Sequence, residues 1–178
     1  YLQGFGNVSG EFWLGLDHLH RLTAQQTHEL YISLEDWEGG RVFAKYSEFL
    51  VGDAGSKYTA TVSGYSGSTT DSMTSQYGNG RFNMNNQKFS TKDQDNDNND
   101  VGNCAIVNGQ GGWWYPPSCG YAMLNGQYLT GCNPSCEHAQ GIVWKTWRGY
   151  GYSLKKSTMM IRPTNYPCKC AGFIICVK

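Results

Sequence analysis

The sequence lacks the features that would place it in a membrane, on nucleic acid or among several large enzyme classes. No apolar run approaches the roughly 18 residues that a membrane-spanning helix needs. Lys plus Arg and Asp plus Glu both total 14, so no net charge favours DNA, RNA or an anionic membrane. The motifs G-x-S-x-G, H-E-x-x-H and the Walker loop are also missing. We therefore predict no membrane span, no nucleic-acid partner and no enzymatic activity.

Charged residues are scarce, at 16% of the chain, whereas aromatics reach 14% and Gly contributes 23 residues. This composition is typical of a loop-rich fold with an aromatic core rather than of a helical bundle. At 178 residues the chain is long enough for one domain with its own core.

Hydrophobic periodicity predicts one early helix and several strands. Leu16, Leu19 and Thr23 recur at helical spacing, in a short helix that Asp17 is expected to begin. Alternation then predicts a strand over 29–37, with Leu30, Ile32 and Leu34 inward. Further strands are expected at 41–46, 58–63, 141–147 and 152–163, the last two in the central sheet, with an irregular excursion over 63–80.

Cysteine, by contrast, is abundant, and its seven residues predict disulfides in an oxidising compartment. Zinc binding is the competing interpretation, but Cys104 and Cys119 have no C-x₂-C partners, and Cys132-x₃-Cys136 stands alone. The total is odd, so one cysteine is free or paired between chains. The pairing of Cys168, Cys170 and Cys176 stays open. Asn7-Val8-Ser9 is a glycosylation sequon, which agrees with a secreted protein.

The most informative stretch is acidic. Four aspartates fall within eight residues without any Lys or Arg between them: Asp93, Asp95, Asp97 and Asp100. Carboxylates held this close repel one another, so a loop that brings them together needs a cation. Ca²⁺ prefers such an all-oxygen donor set. The alternative is a solvated acidic turn. An EF-hand does not fit, because Asn98 stands where that loop needs Gly and Cys104 where it needs Glu.

The segments after the acidic run favour calcium. A disulfide between Cys104 and Cys119, which are 15 positions apart, would fix the loop in place. In order, the stretches KFSTKDQDND, GNCA, GGWWY and LNGQYL resemble the fibrinogen C-terminal-type domain of ficolins, tachylectins, tenascins, angiopoietins and fibrinogen. GFGNVSGEFWLGLDHLHRLT and GIVWKTWRGYGYSLKKSTMMIRP extend the resemblance over residues 4–163. It implies an α+β fold, with a central, mostly antiparallel sheet, short helices and a loop-rich calcium-binding lobe.

The resemblance also implies where the domain ends. Family domains begin further upstream, with a small disulfide-bearing subdomain, so residues 1–163 are expected to form an N-terminally truncated domain. Residues 164–178 match nothing in the family pattern and are expected to form an atypical Cys-containing tail.

Calcium ligands follow from the same resemblance. Asp95 and Asp97 match the two carboxylate positions, and Asn99 matches the first backbone carbonyl. This loop has one residue more than the usual spacing, so Val101 or Gly102 supplies the second carbonyl. Asp93 and Asp100 are expected outside the direct ligand set.

The family's binding pocket lies beside this loop and includes a cis peptide bond, which here would join Ser118 to Cys119. Pro116-Pro117 is an insertion relative to the family pattern. Position by position, the match to acetyl-binding members is partial: Tyr150 and Ala139 agree, His138 stands where Tyr is usual, Gly120 replaces a His, and Asn108 takes the remaining aromatic position. The acidic and His positions of the peptide-binding fibrinogen pocket fall on Asn108, Ala139 and Gly120. The small loop Cys132–Cys136 precedes His138 and is expected to shape the rim.

Two functions follow from these features. The first is a secreted, calcium-dependent lectin of innate immunity that binds acetylated or related glycans, because DQDND, WWY and GYGYSLKK look most like ficolins and tachylectins. The alternative is an extracellular protein-binding module of the tenascin, angiopoietin or fibrinogen kind, in adhesion, matrix or signalling. Loss of the His at Gly120 favours the alternative or a different glycan. In both cases oligomerisation is expected through upstream regions.

Overall fold

The computed structural model describes residues 1–165 and 174–177 of the chain. The elements are, in order, β1 (Phe5–Gly6), β2 (Phe12–Trp13), α1 (Leu16–Thr23), β3 (His28–Glu35), β4 (Arg41–Val51), β5 (Ala60–Gly67), α2 (Cys104–Val107), β6 (Ala122–Met123), β7 (Val143–Trp144), α3 (Lys145–Arg148), β8 (Lys156–Pro163) and β9 (Ile174–Val177).

Seven of these strands form one sheet, in the order β1-β2-β9-β8-β3-β4-β5. Every pairing within the described residues is antiparallel. In its centre, Leu30 of β3 lies opposite Tyr46 of β4 and Ile161 of β8. The alternate residues Leu30, Ile32 and Leu34 are buried, as period-two spacing requires. The prediction of an α+β fold around a mostly antiparallel sheet is confirmed.

The strand boundaries differ from the sequence prediction where the backbone turns. Lys57 and Tyr58 have φ values of 59° and 52°, which a strand cannot adopt, so β5 starts at Ala60 instead of Tyr58. It then pairs along β4 as far as Gly67, opposite Ala44. The irregular excursion expected over 63–80 therefore begins only after Gly67, and β4 continues to Val51 because β5 covers it.

The short helix α1 forms where predicted, but Asp17 does not cap it. The N-cap is Gly15, with φ 105° and no side-chain hydrogen bond. Asp17 lies in the first turn, and its carboxylate accepts a 2.6 Å hydrogen bond from the Tyr58 hydroxyl. Leu16, Leu19 and Thr23 are buried, so the apolar spacing identified the helix correctly.

Residues 141–147 do not enter the central sheet. Val143–Trp144 form β7, which pairs with β6 in a separate two-stranded sheet, and Lys145–Arg148 turn into α3. Hydrogen bonds to distant parts of the chain explain the difference: the Lys145 amide donates to Tyr121 O at 2.8 Å, and the Thr146 amide donates to the Ser72 hydroxyl at 3.1 Å. These bonds fix the segment in the loop-built lobe.

The backbone of Ile174–Val177 forms β9, between β2 and β8. This part of the expected tail therefore belongs to the central sheet, although the boundary at residue 163 itself stays a prediction. The predictions for Cys168 and Cys170, and for the side chain of Cys176, lie outside the described residues.

Aromatic side chains fill the space between the sheet and the loops. The Trp114 ring lies 5.1 Å from Phe89, 5.5 Å from Trp113 and 6.1 Å from Phe49, centroid to centroid. Its indole N–H donates to Tyr58 O at 2.7 Å, which satisfies the buried polar atom. The core thus supports the start of the acidic loop, because Ser90 pairs with Trp113 through two backbone hydrogen bonds of 2.9 and 3.1 Å.

Candidate recognition site

The acidic loop brings two of its four aspartates together. Asp95 Oδ1 accepts a hydrogen bond from the Asp97 amide at 3.2 Å. Asp97 Oδ1 accepts from the Asn99 amide at 3.0 Å, and its Oδ2 accepts from the Cys104 amide at 2.9 Å. Asp93 instead bonds the Thr91 hydroxyl, at 2.7 Å, and Asp100 is exposed. The carboxylates of Asp95 and Asp97 are therefore the pair that the fold positions.

Electrostatics distinguish Asp97 from an ordinary surface carboxylate. Burial raises its pKa, and the neighbouring Asp95 charge raises it further, against the opposing effect of the two backbone hydrogen bonds. An ionised pair at this position is therefore unfavourable unless a positive charge lies nearby.

The donor set of this loop fits a hard cation. Within the described residues, the backbone carbonyls of Asn99, Val101 and Gly102 accept no hydrogen bond from the chain. The Asn99 side chain is engaged elsewhere: its Oδ1 accepts from the Val101 amide at 2.8 Å, and its Nδ2 donates to Pro117 O at 2.8 Å. No group of three or more His, Cys, Asp or Glu suited to a metal occurs in the described part of the chain. Two carboxylates with two loop carbonyls and water suit Ca²⁺ better than zinc.

A disulfide joins Cys104 to Cys119, with Cα atoms 5.3 Å apart, so the predicted bridge behind the acidic loop is present. Asn103 caps α2 by accepting a 2.8 Å hydrogen bond from the Ala105 amide, and it also donates to Thr91 O at 2.9 Å. The bridge, the cap and the Asn99–Pro117 bond together attach the acidic loop to the turn that follows Pro116.

The expected cis bond between Ser118 and Cys119 is absent. Among the described residues the only cis peptide is Asn133–Pro134. The chain reverses in another way: the Cys119 amide donates to Pro116 O at 2.8 Å, and Cys119 and Gly120 take positive φ values of 58° and 84°. Gly suits position 120 because its φ of 84° would strain any other residue, and a Cβ there would also lie 3.0 Å from the Pro116 ring.

The pocket residues after the second cysteine largely converge. The His138 and Tyr150 rings lie 4.5 Å apart, and the Ala139 amide donates to Tyr150 O at 3.0 Å. The Tyr150 hydroxyl donates to Gly120 O at 3.0 Å. Burial, with the neighbouring Tyr121 phenol, raises the pKa of Tyr150 to about 12, so the hydroxyl keeps the proton that this bond needs.

The two remaining predicted residues are held at the edge of this group. Asn108 ends α2, and its carbonyl accepts from the Tyr115 hydroxyl at 3.2 Å. Gln140 follows Ala139 and connects it to that segment, because its side-chain Nε2 donates to Val107 O at 2.7 Å. Ser118 donates its amide to Arg81 O at 3.2 Å. We call the group formed by Ser118, Cys119, Gly120, His138, Ala139 and Tyr150 the recognition surface.

Four further residues beside this surface carried no motif that identified them. Tyr121 stacks on Phe82 at 4.0 Å, Lys145 Nζ lies 4.2 Å above the Tyr121 ring, and Tyr77 is 6.3 Å from both Phe82 and Tyr121. Aromatic character was the only available signal for Tyr77, Phe82 and Tyr121, and Lys145 lies in the quoted stretch GIVWKTWRGYGYSLKK without an assigned role. The stretch containing Tyr77 and Phe82 lacks periodicity, and only the fold brings it to Tyr121.

Two anchors hold the His138–Tyr150 side of the surface. Cys132 and Cys136 form a disulfide, and the Cys136 amide donates to Gly151 O at 3.0 Å. Arg148 of α3 forms an ion pair with the fully buried carboxylate of Asp36, in the turn between β3 and β4. The predicted rim loop is thus attached to the residue after Tyr150, and α3, which ends two residues before Tyr150, is attached to the β3–β4 turn.

The sequon residue Asn7 is exposed, and its Oδ1 accepts from the Ser9 amide at 2.9 Å. Its glycosylation stays a prediction.

A family model for the fibrinogen beta and gamma chains, C-terminal globular domain, matches residues 1–164. The chain belongs to the fibrinogen C-terminal domain family. Members of this family are generally binding modules without enzymatic activity, and they are typically extracellular, as the two disulfides among the described residues would suit. Among the described residues, no helix has the length and apolar character needed to cross a membrane.

Several fibrinogen-domain relatives are similar to this chain. Fibrinogen C domain-containing protein 1 of Homo sapiens is 42% identical over 168 residues, 92% of this chain and 34% of that protein. The Mus musculus protein of the same name is also 42% identical over 168 residues. The chain thus spans about a third (34%) of the length of each of these two relatives.

Solved structures agree with the fold. The fibrinogen-like globe domain of human ANGPTL2 has a TM-score of 0.81 at 40% identity, over 91% of this chain and 70% of that one. A lamprey fibrin D-dimer complexed with the peptide Gly-His-Arg-Pro-amide has a TM-score of 0.84 at 32% identity. The match covers 97% of this chain and 57% of that one. These relatives favour the protein-binding alternative over the lectin, for which they give no support.

Proposed function

We propose that this fibrinogen-type domain is a secreted, calcium-stabilised module that binds a segment of another protein at the recognition surface. Tyr150 is the centre of the proposal. Its ring packs against His138, and its hydroxyl is fixed on the Gly120 carbonyl at 3.0 Å. A half-buried, immobilised Tyr beside a turn is the kind of residue that contributes most to protein interfaces, because it adds apolar area at little entropic cost.

Calcium has a supporting role in this proposal. Asp95 and Asp97 would supply carboxylate oxygens, and the carbonyls of Asn99 and of Val101 or Gly102 would complete the protein's share of the ligands. Bound there, the ion would neutralise the two carboxylates and order the loop. The Asn99 side chain donates a 2.8 Å hydrogen bond to Pro117 O, so an ordered loop would also restrict the turn that contains Gly120.

Two observations support a protein ligand over an acetylated glycan. A fibrin relative of similar fold is known in complex with a peptide. In addition, Gly120 stands where the acetyl-binding pattern has a His, and a side chain there would be strained, because φ is 84° and a Cβ would lie 3.0 Å from Pro116. His138 and Ala139 keep part of that pattern, and the experiment therefore includes glycans.

The test selects peptides from a random displayed library on the immobilised chain in millimolar calcium. Selected peptides should bind the wild type, and Tyr150→Ala should weaken them at least about tenfold, or roughly 1.4 kcal/mol. Tyr150→Phe keeps the ring and should retain most of the affinity. Binding would be measured by biolayer interferometry, and the same proteins would be applied to a glycan array with calcium and with chelator.

Tyr128→Ala is the matched control, because Tyr128 is exposed beside Trp37, with rings 5.9 Å apart, and takes no part in the recognition surface. It should leave peptide binding unchanged. Peptides that bind the wild type and Tyr150→Ala equally would contradict the proposal. So would calcium-dependent binding to acetylated glycans without any selected peptide, which would restore the lectin hypothesis.

A further inference from the structure

Five rings form a continuous row beside the recognition surface. Tyr77 contacts Phe82 and Tyr121, with centroids 6.3 Å away in both cases, and Phe82 stacks on Tyr121 at 4.0 Å. Tyr121 meets Tyr150 edge-on at 6.2 Å, and Tyr150 meets His138 at 4.5 Å. The buried member is Tyr121, whereas Tyr77 is 71% exposed. We call Tyr77, Phe82, Tyr121, Tyr150 and His138 the aromatic row.

A lysine crosses the middle of this row. Lys145 Nζ lies 4.2 Å from the centroid of the Tyr121 ring, and the Lys145 amide donates to Tyr121 O at 2.8 Å, which fixes its backbone. Within the described residues, no carboxylate lies within the 4.0 Å ion-pair distance of Lys145. Five other cations do have such partners: Arg41, Lys45, Arg148, Lys155 and Arg162. The Lys145 ammonium therefore lies against the row without a carboxylate partner among the described residues.

We propose that the aromatic row and Lys145 bind an acidic peptide segment, in which an Asp or Glu lies next to an aromatic residue or proline. The carboxylate would pair with Lys145 Nζ, and the neighbouring ring would pack on Tyr77 and Phe82. Ring-on-ring contacts and an ammonium without a carboxylate partner each favour such a ligand. This inference rests on the proposed function and specifies the charge and composition of its ligand.

The chemistry of the row favours a peptide over an anionic sugar. A sugar exposes many hydroxyl groups, and these need donors and acceptors from the protein. The row offers mainly ring surface, and the Tyr150 hydroxyl is already committed to Gly120 O at 3.0 Å. None of the six side chains is a carboxylate, so charge complementarity selects an acidic ligand. The lamprey fibrin relative, by contrast, is found with a peptide that carries Arg.

The test compares the composition of peptides selected from one random library by three proteins. On the wild type, Asp or Glu adjacent to Phe, Tyr, Trp or Pro should be enriched at least threefold over the unselected library. Lys145→Glu should reverse the preference to Lys or Arg. Arg21→Glu, on the exposed side of α1, makes the same change of charge away from the row and should keep the acidic preference.

A second variant tests the rings without affecting the core. Tyr77→Ala removes a mostly exposed side chain, so the melting temperature should stay within about 2 °C of the wild type while affinity for the acidic peptides falls three- to tenfold. Selected peptides that depend on Tyr150 but show no enrichment of Asp or Glu would overturn this inference and leave the proposed function standing. The same holds if Lys145→Glu selects peptides with the same acidic preference as the wild type. Binding only to sulfated or sialylated glycans would overturn both.

Discussion

Asp97→Asn is expected to remove the stabilisation by calcium while leaving the chelated protein about as stable as the wild type. The folded-state pKa of Asp97 is raised by burial and by Asp95. Such a carboxyl contributes stability below its unfolded pKa, and that contribution is lost as the pH rises through its folded pKa. At neutral pH without calcium the charge is therefore a cost, which Asn removes. Its amide oxygen can still accept from Cys104 N, but its NH₂ cannot accept from Asn99 N as Asp97 Oδ1 does, so the gain and the loss roughly offset each other. With calcium the same charge is needed as a ligand.

The measurement is thermal unfolding at neutral pH with millimolar calcium and with chelator. At free calcium a hundred times Kd, binding stabilises the wild type by about 2.7 kcal/mol, or about 5–10 °C in Tm for a domain of this size. Asp97→Asn should show no difference between the two conditions. Asp93→Asn removes the same charge from a residue bonded to Thr91 and should keep the calcium shift. A wild type with one Tm in both conditions would exclude the calcium site.

Arg148→Ala is expected to destabilise the domain by roughly 3 kcal/mol, because it leaves the buried Asp36 carboxylate without its cation. Burial by itself raises the pKa of Asp36, but the hydrogen bonds from Arg148 and the Gly40 amide, with the Arg148 charge, hold it below its usual value. A lowered folded-state pKa gives stability that is present above the unfolded pKa of about 3.9 and is lost as the pH falls through the lowered value. The effect of the substitution should therefore shrink in acid.

Urea unfolding at pH 7 and in acid checks this expectation. Arg41→Ala is the control, because Arg41 pairs with Glu35 on the exposed face of the sheet, where such a pair is worth about 0–1 kcal/mol. An Arg148→Ala effect as small as that of Arg41→Ala would show that the pair does not anchor α3. Weaker peptide binding by the folded Arg148→Ala protein would agree with its position next to the Tyr150 segment.

Periodicity and motif order predicted the elements that depend on local pattern. The alternation of Leu30, Ile32 and Leu34 marked the central strand, and the spacing of Leu16, Leu19 and Thr23 marked α1. Asp17 was wrongly expected to cap that helix, because its carboxylate is taken by Tyr58, a partner 41 positions away. Competition of this kind between a local cap and a distant hydroxyl cannot be seen in sequence spacing.

The convergence of the candidate residues was predictable, but the backbone that holds them was not. His138, Ala139, Gly120 and Tyr150 converge as the family pattern implies, yet the turn before Gly120 contains no cis bond at Cys119. The prolines inserted before Ser118 change that turn, and a positive φ at Cys119 completes it. Tyr77 and Phe82 were missed because a stretch without periodicity gives no indication of which distant ring it will meet.

The central claim is that the acidic loop and the recognition surface act as one calcium-ordered unit, and hydrogen–deuterium exchange tests it directly. In the wild type, adding calcium to the chelated protein should slow exchange over residues 95–104 and also over 118–121. In Asn99→Ala, which keeps the backbone carbonyl but loses the bond to Pro117, the slowing should persist in the loop and disappear from 118–121. The account would be contradicted if calcium left the exchange of both segments unchanged in the wild type. It would also be contradicted if calcium slowed exchange in the acidic loop but not over 118–121.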